Sequence, residues 1–158
     1  MGPYAGTLGT LVRTAKYKRS LPVADRLGGL LGTRLQEVLQ GDGLVQVDAV
    51  VHVPTPWFRR IYRGFDPSCR IARRVALTLG VPHRHLLRRK DGSRQVGKAA
   101  AARKRLRADA FGVVVNSCPN RVLLIDDVMT TGATLRAAAM CLQNHGVEHV
   151  YAALVAHS

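Results

Sequence analysis

No stretch of this chain is apolar for long enough to span a membrane as a helix. Such a helix needs about 20 consecutive apolar residues, and the apolar blocks here are broken by charge or glycine well short of that. Cysteine is scarce and scattered. Cys69, Cys118 and Cys141 form no Cys-x-x-Cys pair, which excludes a zinc ribbon within these residues and provides no disulfide framework. Nothing marks an activating partner for any of the three thiols, so a cysteine nucleophile is not expected. The first residues lack the basic-then-apolar form of a secretory signal. They also lack the Ser or Thr that a myristoylation signal requires at position 6, where Gly6 stands. A cytoplasmic location, with free thiols and no membrane partner, is the expectation. Acidic residues are few: 10 Asp and Glu stand against 24 Lys and Arg, for a formal net charge of +14. Such an excess attracts polyanions of any kind. By itself it does not separate a nucleic-acid binder from an enzyme whose substrate carries several phosphates.

What is present is a globular domain. A chain of 158 residues with 47% hydrophobic composition is long enough for one full core. Its most informative stretch is 121–134. Residues 122–125 are a continuous aliphatic run, suited to a strand covered on both faces as in a parallel sheet. Asp126 and Asp127 follow at the C-terminal end of that strand, where open α/β sheets bind ligands. Thr130, Thr131, Gly132, Ala133 and Thr134 then lead into a helix over 133–145. Gly132 permits a tight turn. Loop N–H groups, threonine hydroxyls and the helix N-terminus together make a cradle suited to a phosphate.

Two acids ahead of a phosphate cradle repel the phosphate itself, so they must address another part of the ligand. Ionised carboxylates are pure acceptors and a sugar diol is a donor. The strip therefore reads as a sugar-phosphate site, with Asp126 and Asp127 on the diol. Bound Mg²⁺ would relieve the charge conflict, held mainly by ligand oxygens and water rather than directly by protein side chains. A polar turn with an acidic helix start is the plainer use of Asp and Thr, but it does not account for the whole string.

The string from Leu123 through Asp126, Asp127, Thr130, Thr131 and Gly132 to Thr134 resembles the phosphoribosyl pyrophosphate (PRPP) motif of the type I phosphoribosyltransferases. Within that superfamily the chain resembles the ComF family of competence-associated, phosphoribosyltransferase-like proteins, over about residues 4–156. A Tyr-x-Gly…Leu…Lys-Tyr-Lys stretch at 4–18 shares in the likeness. So does a Val-Pro-x-Pro…Arg-Gly-Phe run at 53–65, and so do Gln95, Arg103, Ala110 and Phe111 in register. The resemblance implies an α/β fold with a mainly parallel central sheet flanked by helices. It implies catalytic roles for Asp126 and Asp127, and 5′-phosphate binding by residues 130–134. It implies pyrophosphate binding by Thr55, Arg59, Arg60, Arg63 and Gly64, with arginine's planar fork suited to phosphate oxygens. It further implies a closing loop that includes Gln95 and Arg103. The implied activity is transfer of a phosphoribosyl group from PRPP, with Mg²⁺, to a nitrogen acceptor. The alternative is a non-catalytic accessory protein of DNA uptake that binds ribose phosphates, single-stranded DNA or competence proteins. A homodimer is common in the superfamily. The sequence departs from the family's usual residues at Asp66 (Asn), Pro67 (Gln), Gly92 (Thr), Lys98 (Leu) and Leu106 (Asn). The four-cysteine ribbon that ComF-like chains often carry ahead of the core has no counterpart here.

The remaining chain divides into a helical segment over 1–44 and an α/β core over 45–158, expected to form one compact domain. Helices are predicted over 4–18 and 22–40, a strand over 45–53, and a loop of aromatics and arginines after Pro56. That loop also suits nucleic-acid stacking. Asp66 and Pro67 are a good helix start, and Gly80 a stop, for a helix over 68–79. His83 and His85 are expected as exposed surface histidines, since no further ligand stands nearby in sequence. Short strands are predicted around Leu86 and over 111–115, and a last one over 149–156.

Overall fold

The computed structural model describes residues 2–18, 20–41, 45–90 and 110–157. In chain order the elements are β1 (Gly2–Pro3), α1 (Gly6–Tyr17), α2 (Leu21–Gly41), β2 (Ala49–His52), α3 (Trp57–Arg63), α4 (Pro67–Leu79), β3 (Leu87–Arg89), β4 (Phe111–Val113), β5 (Arg121–Met129), α5 (Ala133–Gln143) and β6 (His149–His157).

Four strands pair in parallel in the order β1-β6-β5-β2. The aliphatic run is the middle of β5, and Val122, Leu123, Leu124 and Ile125 are at most 2% exposed. Successive strand side chains point to opposite faces, so this run supplies two cores. Leu123 and Ile125 join Val12 and Ala15 of α1, Leu27 of α2, and Ile71 and Val75 of α4. Val122 and Leu124 join Ala138 and Leu142 of α5, together with Leu86, Leu87 and Phe111. The result is the expected parallel sheet with helices on both sides.

Glycine sets the spacing of one helix pair. A Cβ at Gly28 would lie 2.7 Å from Arg74 Cβ and 2.8 Å from Ile71 O, and one at Gly32 would lie 2.8 Å from Thr78 Cβ. Only the missing side chains let α2 approach α4 this closely. An Arg70–Asp25 ion pair at 2.6 Å clasps the same two helices.

Several elements differ from the expectation. β3 and β4 form a separate antiparallel ribbon, Leu87 opposite Val113 and Arg89 opposite Phe111. β1 extends the sheet edge through Gly2 opposite Ala156, a pairing too short to leave a periodic signal. Only residues 49–52 of the predicted 45–53 strand join the ladder. The stretch after Pro56 is the short helix α3 rather than a loop, ended by Gly64 in the left-handed conformation (φ 78°).

One difference opens the site. The sequence reading ends the central strand at Ile125, but β5 continues to Met129 because β6 still pairs with it. On its other side β2 makes its last pair at His52 opposite Ile125, and Val53 N–H donates to Ile125 O at 2.9 Å. Pro54 then leads the chain away. Asp126 and Asp127 therefore lie within a strand whose β2 side has become vacant, which creates a crevice at the carboxyl end of the sheet.

Candidate active site

The crevice has a volume of about 300 Å³ and is lined by polar groups from four parts of the chain. Asp126 and Asp127 form its floor. Asp126 Oδ1 accepts the Ser68 hydroxyl at 3.1 Å and the Asp127 N–H at 2.8 Å. Burial, and then the neighbouring Asp127 carboxylate, push the Asp126 pKa up to about 7; the two hydrogen bonds and the charge of Lys16 pull it back only in part. Asp127 is itself buried and pairs with Lys16 Nζ at 3.0 Å.

The next turn is built by Gly132. It stands at the N-cap of α5 with φ 70°, and a Cβ there would meet Arg136 Nη1 at 3.0 Å and Met129 Sδ at 3.2 Å. That conformation and that crowding both select glycine. Thr131 Oγ1 accepts the Ala133 N–H at 3.4 Å, and the Thr131 carbonyl accepts Arg136 Nη2 at 2.8 Å. Thr130 and Thr134 line the main crevice, while Thr131, Gly132 and Ala133 line a pocket of about 40 Å³ adjoining it. Such a turn ahead of a helix N-terminus suits a phosphate.

The lining is also cationic. Lys16, Arg59, Arg63 and Arg89 all line the crevice. Arg63 is buried at the end of α3, with its guanidinium 5.3 Å from the centre of the Tyr17 ring. Thr55 lies in the same lining, but its N–H and hydroxyl both donate to Asp66, at 2.9 and 3.0 Å. The same carboxylate accepts the Cys69 N–H at 3.3 Å and so caps α4. Asp in place of the family's Asn thus has a structural use, because one carboxylate accepts three donors and joins the crevice wall to the helix.

The structure therefore brings Thr55, Arg59, Arg63, Asp126, Asp127, Thr130 and Thr134 to one crevice, with Thr131, Gly132 and Ala133 beside it. Arg60 and Gly64 do not line it. The charge of Arg60 acts on His52 and Cys69, and Gly64 closes α3 through its N–H to the Arg60 carbonyl at 2.8 Å. Gln95 and Arg103 lie outside the described residues. Lys16, Ser68 and Arg89 are crevice residues that the motif search missed. Only the Lys-Tyr-Lys string at 16–18 pointed toward one of them.

The expectation for His83 is corrected. It is half-buried and its Nε2 lies 3.2 Å from Nδ1 of the buried His52, so it is not a free surface group. Further potential ligands do stand nearby, supplied by β2 and α4 rather than by adjacent sequence. His85 is exposed, as expected.

A family model described as a phosphoribosyl transferase domain matches residues 68–158. Competence protein F of Haemophilus influenzae is 28% identical to this chain over 155 residues, covering 95% of this chain and 68% of that protein. DNA utilization protein YhgH of Salmonella typhi is 33% identical over 153 residues, covering 93% and 66%. The chain thus spans about two thirds of the length of these curated relatives. Among solved structures, glutamine PRPP amidotransferase from B. subtilis superposes with a TM-score of 0.58 at 21% identity, over 84% of this chain and 26% of that one. A structure of adenine phosphoribosyltransferase superposes with a TM-score of 0.55 at 19% identity, over 89% and 72%. The solved structures share the fold. With the aspartate pair and the glycine turn placed as they are, the chain belongs to the phosphoribosyl transferase domain family, and within it is similar to competence protein F and YhgH.

Proposed function

We propose that this crevice binds PRPP with Mg²⁺ and transfers the phosphoribosyl group to a nitrogen acceptor. The observation that supports the reading best is the charge layout. Two carboxylates and a threonine–glycine turn share the crevice and its adjoining pocket with Lys16, Arg59, Arg63 and Arg89, and Lys16 pairs directly with Asp127. A simple anion site has no use for the carboxylates, and a simple cation site has no use for the four basic groups. A sugar carrying phosphates at both ends uses both.

In this reading Asp126 and Asp127 accept hydrogen bonds from the ribose diol, and their charge favours the cationic sugar that forms as the C1–O bond to pyrophosphate breaks. Residues 130–134 hold the 5′-phosphate. Arg59 and Arg63 meet the pyrophosphate, whereas Thr55 shapes the wall through Asp66. The new bond forms between C1 and the acceptor nitrogen, which loses its proton to solvent or to the leaving group. The donor set fits Mg²⁺ held largely by substrate oxygens: one carboxylate is already paired with Lys16 and the other is pushed toward its neutral form. When bound, the ion neutralises pyrophosphate charge. The three cysteines are free, which fits work in a reducing cytoplasm.

Calorimetric titration with Mg²⁺ and PRPP, beside an Asp126→Asn/Asp127→Asn variant, tests the proposal. Micromolar binding lost in the variant is expected. Absence of binding to the folded wild-type protein would overturn it. A second reading rests on a separate observation. Trp57, Phe58 and Tyr62 of α3 are 51–72% exposed and stand among Arg59 and Arg60, a pattern suited to stacking single-stranded nucleic acid. It fits a DNA-uptake accessory, in keeping with the relatives' names, and predicts DNA binding that PRPP does not displace.

A further inference from the structure

We propose that His52, Cys69 and His83 form a Zn²⁺ site behind the wall of the crevice. Three separate segments deliver them. His52 is the last residue of β2 and is 6% exposed. Cys69 lies in the first turn of α4. His83 belongs to a segment that hydrogen-bonds along the free edge of β2: Val50 N–H donates to Pro82 O, and Arg84 N–H to Val50 O, each at 2.9 Å. The backbone of all three segments is thus fixed by the sheet or by a helix, not by a mobile tip.

The distances suit the metal. His52 Nδ1 and His83 Nε2 are 3.2 Å apart, and the three ligand atoms all lie within 4.8 Å of one another. Around a tetrahedral Zn²⁺ with bonds of about 2.05 Å to nitrogen and about 2.3 Å to sulfur, nitrogen–nitrogen separations are about 3.3 Å and nitrogen–sulfur separations about 3.6 Å. The two nitrogens already stand at ligand spacing, and the sulfur has at most about 1.2 Å to close. A hydrogen bond between the two rings would explain the 3.2 Å contact alone. It would not explain the thiol, nor the His85 ring, whose centroid lies 5.0 Å from that of His52 and 4.7 Å from that of His83. His85 is exposed and packs its ring against both; three protein ligands leave the fourth tetrahedral position to water.

The donor set determines the class of ion. Two imidazoles and a thiolate suit a borderline-soft cation, whereas Mg²⁺ prefers oxygen. The site is therefore chemically distinct from any Mg²⁺ carried by a phosphorylated ligand. Asp66 adds negative charge beside His52 and Cys69, against Arg60, Arg70 and Arg73; burial and Asp66 push the Cys69 thiol up, so the ion must displace its proton on binding. The site's structural consequence is a staple. One ion would tie the end of β2, the start of α4 and the segment around His83 at the place where Asp66 also holds Thr55 in the crevice wall.

The test is metal titration of chelator-stripped full chain with Co²⁺, followed by displacement with Zn²⁺. One equivalent of Co²⁺ is expected to give the intense visible bands of a tetrahedral centre and a near-ultraviolet sulfur-to-cobalt band, both bleached by Zn²⁺. Cys69→Ser should lose the sulfur band, and His83→Ala, at a half-buried position, should weaken binding at least about tenfold. Cys118→Ser and His149→Ala serve as matched controls and should bind as the wild type does. Circular dichroism of each variant separates lost ligands from lost fold. No stoichiometric binding by the folded wild type, or equal binding by folded Cys69→Ser and His83→Ala, would overturn the proposal.

Discussion

At the residue scale the decisive group is Asp126, whose pKa is pushed up to about 7 by burial and by Asp127. In the proposed binding mode a diol donates to the ionised carboxylate, so binding must remove a proton from any molecule that still carries one. Ribose-phosphate affinity is expected to rise with pH by up to about tenfold per unit below 7 and to level off above it. Calorimetry at pH 6 in buffers of different ionisation enthalpy should count a proton released, and at pH 8.5 should count almost none. A flat profile would remove Asp126 from the ligand. Stability follows the opposite sign. The folded pKa is raised from the ordinary 3.8, so the contribution of Asp126 is fully present below 3.8 and is lost as pH rises through about 7. Asp126→Asn, neutral at every pH, should match the wild type in acid and exceed it by about 2–4 kcal/mol at pH 8, as read by urea denaturation, while losing the ligand. Lys16 is the cation that lowers the Asp126 pKa and pairs with Asp127. Lys16→Met should therefore move the midpoint of the binding profile to higher pH.

At the scale of elements, the same reasoning separates two adjacent glycines of α2. A Cβ at Gly28 would collide with the backbone of α4 at Ile71, whereas one at Gly29 meets nothing within 4 Å. Gly29→Ala should stabilise the protein by about 0.5–1 kcal/mol through helix propensity. Gly28→Ala should destabilise it by about 1–3 kcal/mol, because α2 and α4 must separate. Paired urea melts check the sign reversal. The sequence showed which elements would form wherever a signal was local. The aliphatic run of β5, the Asp66–Pro67 start and Gly80 stop of α4, and the glycine turn after Thr131 were all readable from neighbouring residues. α3 was not, because its Trp57, Phe58, Ile61 and Tyr62 are exposed and leave no buried face to read. Nor was β5 beyond Ile125, since its continuation depends on β6. Lys16 and Ser68 escaped notice because their partners Asp127 and Asp126 lie far along the chain, as did the contact of His52 with His83 across 31 positions. Pairings of that kind follow from the fold rather than from a motif.

At the scale of the whole molecule, the net charge of +14 acts on every anion, and it bears on both functional readings at once. A diffuse field attracts single-stranded DNA through counterion release, so such binding weakens with a log–log salt slope of about −0.7 per phosphate contact. A crevice that meets one ligand with fixed geometry on two carboxylates, a glycine turn and four basic groups depends much less on that field. The expectation is that a labelled oligonucleotide binds at 50 mM salt, releases by 200 mM, and is displaced by PRPP wherever it uses Arg59 or Arg63. PRPP itself should remain bound at the higher salt, as fluorescence anisotropy and competition would show. The opposite pattern, with DNA still held at 200 mM and indifferent to saturating PRPP, would shift the functional surface from the crevice to the exposed aromatics of α3. Trp57→Ala and Tyr62→Ala would then abolish DNA binding, whereas Asp126→Asn would leave it unchanged. The order of these effects, rather than the size of the net charge, decides whether the molecule's basicity serves a phosphorylated sugar or a strand of DNA.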